Sequence, residues 1–470
     1  MSADVVVGLD VGSTYVKALA ITVEGDELCG ARRPTPWTDL GHGRTQMTTD
    51  ALLGAVTELL AELATTLAAR DGGARVTGIG VSGMAEAGVL LDADDRAVIP
   101  VLAWFDPRGE AEVRAQPAEL LQEFTRRTGL PVGPLATFSK LLHHQAGGLD
   151  LAGLQFLSVP EFVVWALGGD RAAEVSLSAR TGLIDQDTGE LWPAAVEALG
   201  VDASILPEIR TAGSSWGRAS RLVQPELAGA TLTVAGHDHL VASVSAGILQ
   251  PEQLYSSMGT AEALVRVLDG PLDADARQRL ADHEINVLRH LLPGRGVMLA
   301  GTKSGLLMRR VLQLVGVSDA TGRAALDDAV MQLPDGGGAG ADAVAVTGAY
   351  NDDGVLQVRA DGDGLSPAVL FAATLAHGSD LLRDVVAWMD AEVPPASETL
   401  VAGGWTGMAS VRRSRGAVLP AATFAAREES TGYGAASVAA FAADSTTTDL
   451  ADHLARFGVH DPSTSEGQHR

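Results

Sequence analysis

The two halves of the chain open alike, and this repetition constrains the fold more than any single motif does. Near the N-terminus Val5-Val6-Val7-Gly8-Leu9 reads as a strand, and Asp10-Val11-Gly12-Ser13-Thr14 follows as a polar turn. Residues 16–23 form a second apolar run, Gly25-Asp26 turns it, and residues 28–32 can form a third strand. Short β-branched runs punctuated by Gly, Asp and Ser predict an antiparallel meander. Residues 253–267 repeat the plan with a strand over 254–258, the turn Gly259-Thr260, and a strand over 262–267. The letters hardly match, but the layout does, and each copy opens about half of the chain. Such an echo predicts two similar units. A length of 470 residues is also too great for one hydrophobic core.

Strands alternate with helices elsewhere, which predicts α/β architecture. Asp50 is a candidate N-cap for a helix over 51–69, and strands are expected over 75–81 and 87–91. A strand over 231–235 ends at Gly236-His237-Asp238-His239, and a helix rich in small residues follows over 240–247. Residues 334–342 read as a glycine-rich loop. Ser366 caps a long helix that begins at Pro367. Leu400-Val401-Ala402 is a short strand stopping at Gly403-Gly404, and 431–442 is a helix of small residues. The expected division is a first domain over 1–247 with an insertion at about 117–207, a second domain over 248–445, and a polar, mobile tail over 446–470.

Charge and cysteine content narrow the function. A net charge of −25 argues against nucleic acid or an anionic membrane, which would call for a basic patch. The single cysteine, Cys29, excludes an intrachain disulfide and a cysteine metal cluster. No basic segment precedes an apolar one at the N-terminus, and no apolar stretch reaches membrane-spanning length on this reading. A cytoplasmic protein is expected, with a homodimer as the oligomer the reading allows.

Four polar turns each follow a short apolar strand: 10–14, 236–239, 257–260 and 403–407. Phosphoryl transfer needs such parts. Glycine lets backbone N–H groups approach phosphate oxygens, and Ser or Thr adds hydroxyl donors. One carboxylate positions Mg²⁺, and another accepts the proton of the attacking hydroxyl. Two rival motifs fail on context. Gly78-Ile79-Gly80-Val81-Ser82-Gly83 has dinucleotide-loop spacing, but its glycines fall inside a strand and a strand follows. No Walker A loop is present. His237-Asp238-His239 could hold zinc, but no other ligand-rich stretch accompanies it. The reading adopted is that one histidine is structural and the other lines the pocket.

These motifs resemble the FGGY carbohydrate kinases, the family of glycerol kinase and xylulose kinase, over nearly the whole length from Val5 to about Phe441. The first turn, the Ile79–Asp92 strand pair, Trp104-Phe105-Asp106-Pro107-Arg108, Thr128-Gly129-Leu130-Pro131 and Thr181-Gly182-Leu183-Ile184-Asp185 all look family-like. So do Gly236-His237-Asp238, Gly259-Thr260, residues 301–310, Gly403-Gly404 and Gly434-Ala435-Ala436. The resemblance implies two actin-like, ribonuclease-H-like domains with the active site in the cleft between them. It implies ATP and Mg²⁺, with in-line transfer to a hydroxyl of a small sugar or polyol. Asp238 takes the general-base role. Asp10 takes the Mg²⁺ and phosphate role, with Asp238 also near the metal, partly through water. Gly12, Ser13, Thr14, Gly259, Thr260, Gly301, Gly403 and Gly404 are the implied ATP and phosphate contacts. Glu86, Trp104, Asp106, Asp238 and His239 are the implied substrate contacts.

Departures from the family pattern concentrate on the substrate side. Met84-Ala85-Glu86-Ala87-Gly88 stands where the family often has Gln-Met-His-Gly or Gln-Arg-Glu. Glu86 suits bidentate contact with two vicinal hydroxyls; the alternative is a solvated loop glutamate. His239 follows the catalytic aspartate, and Ala261-Glu262 ends the second phosphate turn where Ser-Gly is usual. The Pro-Phe-Leu-x-Gly-Glu-Arg stretch is absent near residues 346–351. A silent sugar-binding sensor is the competing reading, and the presence of both Asp10 and Asp238 weighs against it. An acid-sugar or acetate-type kinase would call for an arginine beside the catalytic turn, and the local sequence has none.

Overall fold

The computed structural model describes residues 3–70, 74–334, 344–348, 356–361, 365–425, 430–444 and 446–458. The first sheet contains β1 (Ala3–Val11), β2 (Tyr15–Thr22), β3 (Glu27–Pro34), β4 (Ala74–Gly83) and β5 (Thr231–His237). The first three form the antiparallel meander, and β4 and then β5 extend it in parallel beyond β1, giving the order 3-2-1-4-5.

The second sheet is the same construction. It contains β6 (Gln253–Met258), β7 (Glu262–Leu268), β8 (Asn286–Arg289), β9 (Gly296–Thr302), β10 (Glu398–Ala402) and β11 (Ala422–Phe424). Antiparallel β6, β7 and β9 are the meander, β10 and β11 extend it in parallel, and β8 adds one strand at the β9 edge. The echo in the sequence is therefore a repeated topology, and the fold is α/β with two actin-like lobes.

Central strands of such sheets are covered on both faces, so they read as unbroken apolar runs. Val5, Val6, Val7, Leu9 and Val11 are all fully buried. One face of the first sheet is covered by the helix Thr49–Ala68, through Leu52, Val56, Leu59, Leu60, Leu63 and Leu67. That helix corrects two expectations. Its N-cap is Thr48, whose hydroxyl accepts from Ala51 N at 3.2 Å, so Asp50 lies inside the first turn. Among the described residues it is also the one helix long and apolar enough to cross a membrane, although its apolar face is spent on the sheet.

The opposite face is covered by the helix Ser430–Ala443, which comes from the far end of the chain. A Cβ on Gly8 would lie 1.9 Å from the Gly432 carbonyl oxygen, and one on Gly80 2.1 Å from that of Ala435. Small residues in the helix and glycine in the strands let two backbones touch, which is why glycines interrupt an otherwise β-branched run. The second domain expected over 248–445 is corrected accordingly, because its last helix belongs to the first sheet. The tail expected from residue 446 is corrected too. Leu450–Gly458 is a helix with Leu454 and Phe457 buried. The glycine-rich loop expected over 334–342 lies outside the described residues apart from Pro334.

Residues 84–230 lie between β4 and β5 and carry most of the short helices of the first lobe. This segment also bolts the lobes together. Arg277, fully buried in the second lobe, donates to Arg126 O at 2.7 Å and to Asp187 Oδ1 at 2.8 Å.

Candidate active site

Strand register gathers the polar turns of the first lobe on one edge. Asp10 of β1 and Gly236 of β5 both stand opposite Ser82 of β4, one on either side. At the usual strand spacing this puts Asp10 and Gly236 about 10 Å apart. Ser82 Oγ donates to Gly236 O at 2.9 Å, and Met84 N donates to Val11 O at 3.1 Å. The Asp10 turn, the Met84–Glu86 corner and Asp238 thus share the carboxyl ends of three strands, where open α/β sheets bind ligands.

Asp238 opens the helix Asp238–Ser245, whose N-terminal dipole favours a carboxylate. Its Oδ1 accepts from His239 N at 2.7 Å and lies 3.2 Å from His237 Nε2. Burial, reinforced by the charges of Arg180 and His239, holds His237 well below the ordinary imidazole range. The ring is therefore neutral. Among the described residues His237 Nδ1 is buried without a hydrogen-bond partner, and Nε2 is the ring nitrogen that approaches Asp238. Asp238 Oδ2 makes no hydrogen bond among the described residues, on a side chain that is 22% exposed. His239 is partly exposed, its ring edge-to-face with His237 at 5.5 Å.

Glu86 is buried, with φ of +60°, and its partner is Arg180. A solvated loop glutamate is thereby excluded. Both Arg180 contacts fall on Oε1, so the bidentate contact expected of this carboxylate would find only Oε2 clear of the guanidinium. Burial pushes the Glu86 carboxyl upward; Arg180 opposes this and the Asp238 charge adds to it. Sequence reasoning missed Arg180 itself. It stands 94 residues from Glu86 in sequence, and its one signal is its place just before the family-like Thr181-Gly182. The inference that no arginine sits beside the catalytic turn is corrected, because the fold delivers one whose charge reaches His237.

Asp106 does not fit a substrate contact. It is fully buried, Oδ2 accepts from Thr45 N at 2.7 Å, and Arg108 grips both oxygens at 2.7 and 2.9 Å. Burial raises its pKa, and the bonds to Arg108 and Thr45 more than offset that, leaving it below the usual value. It is a brace for the loop. Lys140 continues the brace, donating to the carbonyls of Asp106 and Pro134. Burial brings Lys140 down to about 8, against the opposing charges of Asp106 and Glu86. Trp104 is half-buried, with its ring against Phe105 at 5.4 Å.

The second lobe repeats the turn. Gly259 and Thr260 are exposed between β6 and β7, and Gly403 and Gly404 follow β10, the parallel neighbour of β6. Trp405 Nε1 donates to Gly259 O at 3.1 Å, as Trp37 Nε1 donates to Ser13 O at 2.7 Å in the first lobe. Each phosphate-turn candidate is thus pinned by an indole. Thr35 Oγ1 adds a bond to Gly12 O at 2.7 Å, while Thr14 is exposed. Gly301 departs from its expected place. It lies inside β9 opposite Ala263, and the glycine against the turn is Gly305, where a Cβ would meet Gly259 O at 1.9 Å.

Among the described residues no group of three or more His, Cys, Asp or Glu could cage a metal, so the zinc alternative lacks a third ligand. Asp10 and Asp238, at the carboxyl ends of two strands of one sheet, are of the donor type that would suit Mg²⁺, which takes one or two carboxylates and completes its shell with phosphate oxygens and water.

A family model, the N-terminal domain of the FGGY family of carbohydrate kinases, matches residues 5–245, just over half of the chain. A glycerol kinase of Rhodospirillum centenum is 26% identical over 287 residues, covering 58% of this chain and 56% of that protein. An L-fuculokinase of Escherichia coli K12 is 24% identical over 274 residues, covering 56% of this chain and 57% of the relative. The chain thus spans a little over half the length of these curated relatives. The crystal structure of a xylulose kinase from Rhodospirillum rubrum superposes with a TM-score of 0.82 at 22% identity, covering 96% of this chain and 92% of that one. The match places both lobes in the same actin-like fold, and with the family model over the first lobe the conclusion is plain: this chain belongs to the FGGY family of carbohydrate kinases.

Proposed function

We propose that the protein transfers the γ-phosphoryl group of ATP to a hydroxyl of a small sugar or polyol, in the cytoplasm, with Asp238 as general base. The observation that carries this reading is the state of Asp238. One oxygen accepts from His239 N and lies 3.2 Å from His237 Nε2, the other makes no hydrogen bond among the described residues, and the buried Glu86 carboxyl is close enough to feel its charge. Asp238 Oδ2 takes the hydroxyl proton as the hydroxyl oxygen bonds to the γ-phosphorus, and the bridging bond breaks with its electron pair leaving on ADP. Asp10 and Asp238 would hold Mg²⁺, the latter through water, and the bound ion would supply neutralisation of phosphate charge. Gly12, Ser13, Thr14, Gly259 and Thr260 grip phosphates from the two lobes, and Gly403 and Gly404 face the nucleoside. Glu86 Oε2 accepts from a second hydroxyl of the acceptor, and Trp104 and His239 wall the pocket. Coupled measurement of ADP release with Mg-ATP and a panel of glycerol, ketopentoses, 6-deoxyketohexoses and pentitols tests the reading. Acceptor-dependent turnover supports it; ADP release indifferent to every acceptor, or absent, counts against it.

Glu86→Gln is the cleaner probe of the acceptor pocket. It keeps an oxygen for Arg180, whereas Glu86→Ala strands a buried guanidinium. A charge-assisted bond exceeds a neutral one by about 1.4 kcal/mol, so the acceptor's KM should rise roughly tenfold. The KM for ATP should stay within about twofold, because Glu86 touches no nucleotide in this reading. Equal shifts in both constants would remove Glu86 from the acceptor site.

Gly403 and Gly404 separate fold from binding. At Gly403 φ is +107° and a Cβ would lie 2.4 Å from Met258 O, so Gly403→Val strains the β6 edge. It should cost on the order of 1–3 kcal/mol of stability. A Cβ on Gly404 meets nothing within 4 Å. Gly404→Val should therefore fold normally and weaken ATP about tenfold, which corresponds to 1.4 kcal/mol. Calorimetry showing parental ATP affinity in folded Gly404→Val would move the nucleoside elsewhere.

A further inference from the structure

We infer that Glu174 and Ser176 are positioning residues for the turn that carries Asp238, an inference that rests on Asp238 being the base. Both come from the segment between β4 and β5, and both are buried. Glu174 Oε2 accepts three bonds: from Ser176 Oγ at 2.6 Å, Ser176 N at 2.8 Å and Leu177 N at 3.0 Å. The Ser176 hydroxyl has one proton, and it is committed to Glu174. Its lone pair must then accept, and it does so from His237 N at 3.0 Å. The carboxylate therefore fixes the sense of the hydroxyl, and the hydroxyl fixes the amide next to Asp238.

The same hydroxyl presses on the residue before. Gly236 has φ of +118°, and a Cβ there would stand 2.8 Å from Ser176 Oγ. The Gly236 carbonyl is held from the other side by Ser82 Oγ at 2.9 Å. The turn is thus clamped at one residue's C=O and the next residue's N–H, immediately ahead of the carboxylate that must meet a hydroxyl. The register of β5 on β4 ends with His237 opposite Gly83, so side-chain bonds at this point set the path of the backbone into Asp238.

Glu174 is held in turn. Its N–H donates to Glu161 Oε1 at 2.7 Å, and Glu161 Oε2 accepts from Ser158 N at 2.6 Å. Both carboxylates are buried, burial pushes each up to about 7 against the bonds they accept, and Glu174 Oε1 has no hydrogen-bond partner among the described residues. Two buried acids make a costly way to hold a loop together for stability alone, since apolar packing commonly does as well. The geometry gives the cost a purpose: a base displaced by about 1 Å can lose 10²-fold in rate.

The test compares Ser176→Ala, Ser176→Thr, Glu174→Gln and Asp238→Asn for kcat, both KM values and thermal midpoint. The acceptor is the best of glycerol, a ketopentose and a 6-deoxyketohexose with the parent. Ser176→Ala should lower kcat tenfold or more with KM for ATP within about twofold, and Ser176→Thr should restore kcat to within about threefold of the parent. If Ser176→Ala does not fold, Glu174→Gln carries the test, because its amide oxygen can still accept from the Ser176 and Leu177 amides. Its kcat should fall at least about threefold at a midpoint near the parent's. Parental kcat in a folded Ser176→Ala or Glu174→Gln, or a loss that Ser176→Thr does not repair, overturns the positioning role. Parental kcat in Asp238→Asn overturns the base assignment instead, so the two failures are told apart.

Discussion

Replacing Asp238 with asparagine should lower turnover by about 10²- to 10⁴-fold, the usual cost of losing a general base, while nucleotide binding and the fold survive. The substitution is nearly isosteric. The asparagine oxygen can keep the bond that Oδ1 receives from His239 N. The amide nitrogen then replaces Oδ2, the oxygen proposed to take the acceptor's proton, and it cannot take one. The proposed ATP contacts lie on turns whose supports do not involve Asp238, such as Trp37 to Ser13 and Trp405 to Gly259. Single-turnover kinetics and calorimetry with a non-hydrolysable ATP analogue check the two halves. Turnover within about threefold of the parent would remove Asp238 from the chemistry.

Much of this site is legible in the sequence because its backbone is local. A β-branched strand that ends in Asp10-Val11-Gly12 or Met258-Gly259-Thr260 announces a turn at its carboxyl end, and parallel register then brings such ends together. The sequence does not show which carboxylates are free. Asp106 and Asp238 look alike in sequence, yet Asp106 has both oxygens engaged and Asp238 has one. The difference lies in loop geometry, which periodicity does not carry. Long-range partners are equally invisible. Arg180 meets Glu86 across 94 positions, and Ser176 meets His237 across 61. Helix 430–443 is readable as a small-residue helix, but which sheet it covers depends on glycines more than 350 residues upstream in β1 and β4. Glu262 shows in the sequence only as a departure from the usual turn. Its reason is a buried partner 153 positions away.

That partner leads to the second large effect: Arg415→Met should destabilise the second lobe by about 3–5 kcal/mol, the cost of leaving a buried charge unpaired. Arg415 and Glu262 are both fully buried. Arg415 Nε donates to Glu262 Oε1 at 3.0 Å and its NH2 to Oε2 at 2.7 Å. The guanidinium also donates to Ser379 Oγ at 2.9 Å, and Ser256 Oγ donates back to Glu262 Oε1 at 3.1 Å. The cluster ties β6, β7 and the helices Pro367–Asp390 and Ala409–Gly416 into one body directly behind the Gly259-Thr260 turn. Removing the cation leaves Glu262 ionised in a dry site or forces it to take a proton, and either choice opposes folding. Removing both charges should be far milder. Glu262→Leu with Arg415→Met puts apolar side chains in the same space and should recover most of the loss, because a buried pair is worth little against well-packed apolar groups. Urea unfolding followed by a second-lobe probe such as Trp405, with the two single variants and the double, gives the coupling directly. A loss below about 1 kcal/mol for Arg415→Met, or a double variant worse than either single, would mean that the pair does not hold this lobe together.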